Sequence, residues 1–209
     1  SGALEFQRAQ QGVISIAQQA GVDISGVADA YSRIAQSTSE LGISQERILD
    51  VTRKTTLALK AGGATGSETS SVMIQLGQAL GSGALQGDEL RSILEASIPI
   101  TKALAKEFNA TTGQLKTLGS EGKLTASRVV RALENMDDKA LTFTKNISDG
   151  FTEVSNAITV YVGQLDESIG VSASLSKSLS DTASNIDKVV EGATALAVLL
   201  GAKLAGSFA

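Results

Sequence analysis

Apolar residues recur at helical spacing along almost the whole chain, and glycines interrupt the helical stretches. In the clearest example, Leu76 and Leu80 share one face of a helix because they lie four residues apart. Gly81 and Gly83 follow, and glycine readily adopts the positive φ angles that end a helix. The acidic pair Asp88-Glu89 then suits the first turn of a second helix, where unpaired N–H groups favour negative charge. This segment therefore predicts two helices joined by a glycine turn.

The same spacing extends over the other segments, and none of them alternates apolar and polar residues as a strand does. Aromatic residues make up only 3% of the chain and hydrophobic residues 42%, so the core must be built mainly from Ala, Leu, Ile and Val. Such side chains suit closely packed helices. We therefore predict an all-α fold, in which a compact glycine-jointed helical domain precedes long amphipathic helices.

Capping residues, glycines and the single proline predict where helices begin and end. The two N-terminal helices are expected over Leu4 to Ala20 and over Val27 to Glu40. Pro99 is expected to interrupt the helical pattern and to start a new segment. Three later helices are expected to begin after hydroxyl-bearing caps, at Ser44, Thr111 and Thr125.

The character of the chain changes near the pair Asp137-Asp138. Beyond it, apolar residues recur at spacings of 4, 3, 4, 3 and 4, a heptad stripe that comprises Ile147, Phe151, Val154, Ile158, Tyr161 and Leu165. A similar stripe runs from Leu175 to Leu200. We therefore predict a helical domain at 1–136 and a long amphipathic helical arm at 137–209 that leads into an apolar segment. Two arrangements of the arm stay open: it folds back onto the domain as a bundle, or it extends and self-associates.

The residue inventory excludes most catalytic chemistry. Because the chain has no histidine and no cysteine, disulfides, thiolate nucleophiles and the usual transition-metal sites are excluded. The adjacent carboxylates at 88–89 and 137–138 project about 100° apart on a helix, so they do not converge as an acid–base pair. The glycine-rich loops at 62–67 and 81–87 lack the spacing of phosphate-binding loops. We predict no catalytic, cofactor-binding or metal-binding residues and no enzyme activity.

Charge and the two ends of the chain bear on its partners. A formal net charge of −4, without clustered Lys and Arg, argues against specific nucleic acid binding. The chain opens with Ser1-Gly2 and no methionine, so we expect a fragment of a longer protein. The apolar run at 192–202 is shorter than the ~20 residues that span a bilayer, but residues 204–209 resume its apolar character. The C-terminal segment is therefore a candidate for contact with a membrane.

Two glycine-containing sequence elements form a recognisable combination. Its residues are Leu76, Gly77, Leu80, Leu85, Gln86, Gly87, Asp88, Glu89, Leu90, Leu118, Gly119, Gly122, Leu124 and Thr125. The joint at 41–45 belongs to the same combination. On the basis of these residues, the segment 22–136 resembles the tape measure domain of tail proteins from tailed bacteriophages or prophages. Residues 151–168 resemble the segment that follows this domain in relatives. One departure is the segment 96–100, where the family leads us to expect an Ala-Pro pair and a more open turn.

The resemblance implies a structural protein of the virion. Tape measure proteins are long helical chains that scaffold polymerisation of the tail tube, set its length, and are later ejected during DNA delivery. The implied partners are the tail tube protein, tail assembly chaperones, tail tip or baseplate proteins and further copies of the chain. The apolar C-terminal segment adds a contact with the host inner membrane. The implied location is the tail lumen, preceded by the host cytoplasm during assembly.

Two other functions stay open on the sequence alone. A membrane-active helical protein, such as a pore former or a secreted effector, would account for the apolar end and the Ala- and Gly-rich helices. A cell-wall hydrolase would need a positioned glutamate or a metal site, and the sequence offers no motif for either.

The helical pattern itself agrees with a protein that sets tail length as a ruler does, because a helix advances about 1.5 Å per residue and so converts residue number into length.

Overall fold

The computed structural model describes residues 2–39 and 42–169. Within these residues the protein forms α-helices and no β-strand, which confirms the all-α fold. The helices are α1 (Gly2–Ala20), α2 (Ile24–Ser37), α3 (Gln45–Ala61), α4 (Gly66–Gly81), α5 (Gly87–Ala96), α6 (Ile98–Phe108), α7 (Thr112–Ser120), α8 (Ala126–Glu134) and α9 (Ile147–Ile169). A 3₁₀ turn at Asp138–Ala140 and an irregular segment connect α8 to α9. Leu41, the second stripe from Leu175 to Leu200 and the apolar C-terminal segment lie outside the described residues.

Helix α3 lies at the centre of the helical packing. It contacts α1, α2, α4, α6 and α8. Ser44 caps it as predicted, because its side chain accepts a hydrogen bond from the backbone N–H of Arg47. Neighbours surround the helix, so it buries polar as well as apolar side chains: Ile48, Val51, Thr52, Thr55, Thr56, Leu57, Leu59 and Lys60.

Helix α2 is shifted from its predicted position. It begins at Ile24, three residues before Val27, because the Asp23 side chain caps it by accepting hydrogen bonds from two backbone N–H groups in its first turn. It ends at Ser37, and Thr38 leaves the helical conformation with φ of −105° and ψ of 5°. The predicted end at Glu40 was therefore too late.

Leucine–glycine pairs are typical of helix ends, but the glycines of two such pairs, Gly81 and Gly119, are helical. Gly81 is the last residue of α4, and Gly119 lies inside α7. The turns that follow use Gly83, with φ of 91°, and Gly122, with φ of 66°. The prediction for Gly83 is confirmed, and the prediction that Gly81 takes a positive φ is wrong. A leucine–glycine pair at these two places therefore marks the approach to a helix end, and the turn glycine comes two or three residues later.

The joint at Pro99 is tight. Ser97 is the only residue between α5 and α6, and Pro99 lies in the first turn of α6, where a missing N–H costs nothing. The buried Ser97 hydroxyl donates to the Ala58 carbonyl at 2.7 Å and accepts from the Ile100 N–H. This pair of bonds ties the joint to α3. The predicted break at Pro99 is confirmed.

The chain divides into two units, Ser1–Asn156 and Ala157–Ala209. The first unit includes residues 137–156, which the sequence analysis assigned to the arm. Of the second unit the structure describes residues 157–169, and these are helical. The division into a domain at 1–136 and an arm at 137–209 therefore stays a prediction.

Candidate functional site

The two sequence elements that carry the family resemblance meet in space. The backbone N–H of Leu85 donates to the Leu124 carbonyl, and the N–H of Ala126 donates to the Gly83 carbonyl, both at 2.8 Å. An antiparallel bridge between residues 84 and 125 results. The turn before α5 is thus bonded to the turn before α8, although about forty residues separate them in the chain.

Leucines and one glycine of these elements form the packed interior beneath this bridge. Leu85, Leu90 and Leu124 are all buried. A Cβ atom added at Gly119 would lie 2.4 Å from the Leu90 side chain and 3.5 Å from the Leu85 carbonyl oxygen. Because no larger side chain fits there without displacement, Gly119 allows α7 to approach α5 closely.

The third part of the motif lies on α4, where Leu76 and Leu80 are buried as one face. A Cβ atom at Gly77 would lie 2.6 Å from the Cβ of Arg33 on α2. Farther along the same interface, a Cβ at Gly26 of α2 would lie 2.2 Å from the Ser70 hydroxyl oxygen of α4. Small residues on both helices therefore bring α2 and α4 into close contact.

The remaining motif residues lie at the surface or at its edge. Asp88 and Glu89 occupy the first turn of α5, as predicted, and Gln86 precedes that helix without a side-chain cap bond. Thr125 occupies the N-cap position of α8, but its side chain makes no capping bond. Gly87 is exposed, and Leu118 and Gly122 are half-buried. The motif residues thus build a joint between helices, and they do not line a cleft with converging reactive groups.

A second cluster, which the sequence analysis missed, joins the start of α9 to the rest of the first unit. Lys60 on α3 and Asp149 on α9 form an ion pair with Nζ and Oδ1 2.7 Å apart, and each side chain is only 4% exposed. The same carboxylate accepts the backbone N–H of Asn146, whose side chain accepts the Asp149 N–H in return. This reciprocal pair begins α9. The ring of Phe143 lies 5.8 Å from the Lys60 ammonium.

Asn156 provides the other end of this attachment. Its side-chain amide donates to the Val22 carbonyl at 2.7 Å and accepts from the Ile24 N–H at 3.2 Å. The Val22 carbonyl belongs to the turn between α1 and α2, and the Ile24 N–H belongs to the first residue of α2. Lys145 adds a bond to the Gln18 carbonyl at the end of α1. The signal for these contacts in the sequence was faint: an Asn-x-x-Asp capping pattern, with an asparagine seven residues beyond its aspartate.

The environment keeps Asp149 charged. Burial disfavours its carboxylate, but hydrogen bonds from the Lys60 ammonium and the Asn146 N–H outweigh burial, so the pKa of Asp149 lies below its ordinary value. On α6, the hydrogen bond from Arg131 lowers the pKa of Glu107 against the effect of burial, with Arg128 contributing to the same carboxylate. Both carboxylates are therefore held as charged partners of cations, which suits a structural role.

Four residues of the predicted heptad stripe are exposed on α9. The exposed fractions are 83% for Ile147, 66% for Phe151, and 59% for both Val154 and Tyr161. Ile158 is half-buried. Leu165 is helical, as predicted. Four large apolar side chains on one helix face are thus open to contact.

The chain matches a protein family model described as tape measure protein over residues 1–167. It belongs to the tape measure protein family. Comparisons with curated proteins and with solved structures give no match. As a member of this family, the chain has a structural role in the phage tail. The match covers the joint of α4, α5, α7 and α8 and also the start of α9.

The described part of this tape measure protein offers structural contacts and no cluster of metal-binding groups. Within residues 2–39 and 42–169, no three His, Cys, Asp or Glu side chains are grouped so that they could hold a metal ion. None of the helices described there is long and apolar enough to cross a bilayer.

Proposed function

We propose that this chain is a segment of the ruler that sets the length of the phage tail tube, and that the residues after the first unit are the part that counts. Family membership supports a role in the tail. The observation that carries the ruler is α9, a continuous helix of 23 residues. Such a helix is about 35 Å long at ~1.5 Å per residue. A rod of this kind converts residue number into length, whereas a packed unit does not.

The proposed partners follow from the same picture. Family membership supports contacts with tail assembly proteins in general, and we propose the tail tube protein, the assembly chaperones and the tail tip or baseplate as the individual partners. The exposed heptad stripe supports self-association of the arm, because such a stripe is buried when helices pair. Scaffolding of tube polymerisation and ejection during DNA delivery are proposed on family membership alone.

Tail length tests the ruler directly. Four in-frame copies of the segment 154–167, inserted after Glu167, continue the stripe at spacings of three and four. They add about 56 residues and should lengthen the tube by about 84 Å at ~1.5 Å per residue. The insert begins beyond Asp149 and leaves the first contacts of α9 in place. Tails of phage carrying the altered gene would be measured by electron microscopy.

A matched insertion locates the counting residues. The same copies placed after Gly63, in the exposed loop between α3 and α4, should leave tail length unchanged, because that loop belongs to the packed unit. Equal lengthening by both insertions would mean that the first unit also counts and is extended in the tail. Normal length with the insertion after Glu167 would refute the ruler.

A further inference from the structure

Residues 147–156 of α9 contact the rest of the first unit with their polar side. At roughly 100° per residue, Asp149 and Asn156 project in nearly the same direction, and Ile147 and Phe151 project roughly 180° away. Asp149 and Asn156 are buried, whereas Ile147 and Phe151 are exposed, as is Val154. An amphipathic helix on a protein surface ordinarily buries its apolar side. Between residues 147 and 156, α9 does the reverse.

The contacts on the polar side are directional. The Asn156 amide bonds simultaneously to the Val22 carbonyl, in the turn before α2, and to the N–H of Ile24, the first residue of α2, which restricts how its side chain can face that turn. Asp149 lies directly against that turn, because a Cβ atom at Gly21 would be 2.6 Å from the Asp149 Cβ. Lys60 reaches the same carboxylate from α3. Hydrogen bonds lose strength when a helix rotates about its axis, whereas apolar contact is non-directional and tolerates rotation.

We propose that Lys60, Asp149 and Asn156 are positioning residues that fix the rotation of α9 about its own axis and so direct the Ile147–Phe151–Val154 side away from the first unit. A buried ion pair adds little net stability over apolar residues of similar volume, and its value here is the specific orientation. Without these contacts, the favourable burial of apolar surface turns the stripe toward the unit. Lys60, Asp149 and Asn156 themselves do not contact a partner helix, but they determine whether the stripe is available to one. This inference does not depend on the ruler function.

Thiol reactivity can report which side of α9 faces outward. The chain contains no cysteine, so one introduced thiol reports one position. Val154→Cys places the thiol on the stripe, and Thr152→Cys places it at a half-buried position off the stripe. In the otherwise unaltered full-length chain, we expect the thiol at 154 to react with iodoacetamide about fivefold faster than the thiol at 152, following exposure.

Each thiol is then measured with the positioning contacts removed. Lys60→Met together with Asp149→Leu replaces the ion pair by apolar side chains, a change that buried pairs tolerate without a large loss of stability. Asn156→Leu leaves the ion pair intact and serves where the double variant fails to fold. Arg47→Gln with Glu134→Gln is the control, because it removes an ion pair between α3 and α8 that does not involve α9.

The expected result is a slower reaction at 154 and a faster one at 152 in the variants without the positioning contacts, with unchanged helical content by circular dichroism. The control variant should keep the original ratio. An unchanged ratio in folded variants without the contacts would overturn the proposal, because other contacts would then set the rotation. Fast reaction at both positions would also overturn it, since α9 would have detached without turning.

Discussion

Gly77→Ala tests whether the close contact of α2 and α4 is as tight as the structure indicates. The new Cβ would lie 2.6 Å from the Cβ of Arg33, whereas ordinary carbon–carbon contacts are ~3.5–4.0 Å. Because a Cβ atom moves only with its backbone, the helices must separate locally by about 1 Å. Overpacking of this kind costs about 1–3 kcal/mol, and alanine returns about 1 kcal/mol in helix propensity. We expect a net loss of up to about 2 kcal/mol in the free energy of unfolding.

The matched control lies in the same helix. A Cβ atom at Gly66, in the first turn of α4, would meet nothing within 4 Å, so Gly66→Ala should stabilise the protein by about 0.4–1 kcal/mol through the unfolded chain. Both variants would be unfolded in urea and followed by far-ultraviolet circular dichroism. Opposite shifts of the midpoint are the expected result. A Gly77→Ala variant as stable as the Gly66→Ala variant would refute the close packing of α2 on α4.

Four further substitutions probe buried polar groups. Ser97→Ala removes a hydroxyl that links a carbonyl of α3 to an N–H of α6, so urea unfolding should show a loss of about 1–2 kcal/mol, and an unchanged midpoint would contradict that link. Thr55→Val should stabilise by about 1 kcal/mol, because the buried Thr55 hydroxyl has no hydrogen-bond partner. Thr52→Val should give no such gain, because the Thr52 hydroxyl donates to a backbone carbonyl. Because the folded pKa of Asp149 lies below the unfolded value of 3.8, its contribution to stability is complete well above pH 3.8 and is lost as the pH falls below 3.8 through the folded pKa. Asp149→Asn should flatten that part of the stability profile in an acid titration, and an unaltered profile would show that Asp149 is not its source.

The helices were predictable because their signals are local. Ser44 and Thr111 both cap helices as predicted, since a cap needs only a side chain and backbone N–H groups two or three residues away. The predicted start of α2 was wrong, although the signal that sets it is also local: the side chain of Asp23 caps the helix at its N-terminus, three residues before the predicted start at Val27. Helix existence is thus encoded in short stretches, and helix ends depend on which of several nearby caps prevails.

The glycines show where local signals stop. A glycine in a sequence can end a helix or lie inside one, and Gly77 and Gly119 both lie inside helices, where they serve as points of close contact with α2 and α5. A glycine has the same local freedom in either role. The distinction depends on what lies opposite its missing side chain, and residues far away in the chain supply that neighbour.

Helix α9 shows most clearly which features follow from the local sequence and which follow from tertiary contacts. By itself, the sequence predicted a helical stripe from Ile147 to Leu165 whose apolar residues share one face, because this follows from spacing along one chain segment, and the structure has a helix there. The tertiary structure decided that Ile147, Phe151 and Val154 are exposed and that Asp149 and Asn156 bond to the rest of the first unit. That choice rests on Lys60 and Asp149, which are 89 residues apart, and on Asn156 and Val22, which are 134 apart. Pairings over such separations are set by how the helices pack, because hydrogen bonds and ion pairs require partners within about 3 Å in space.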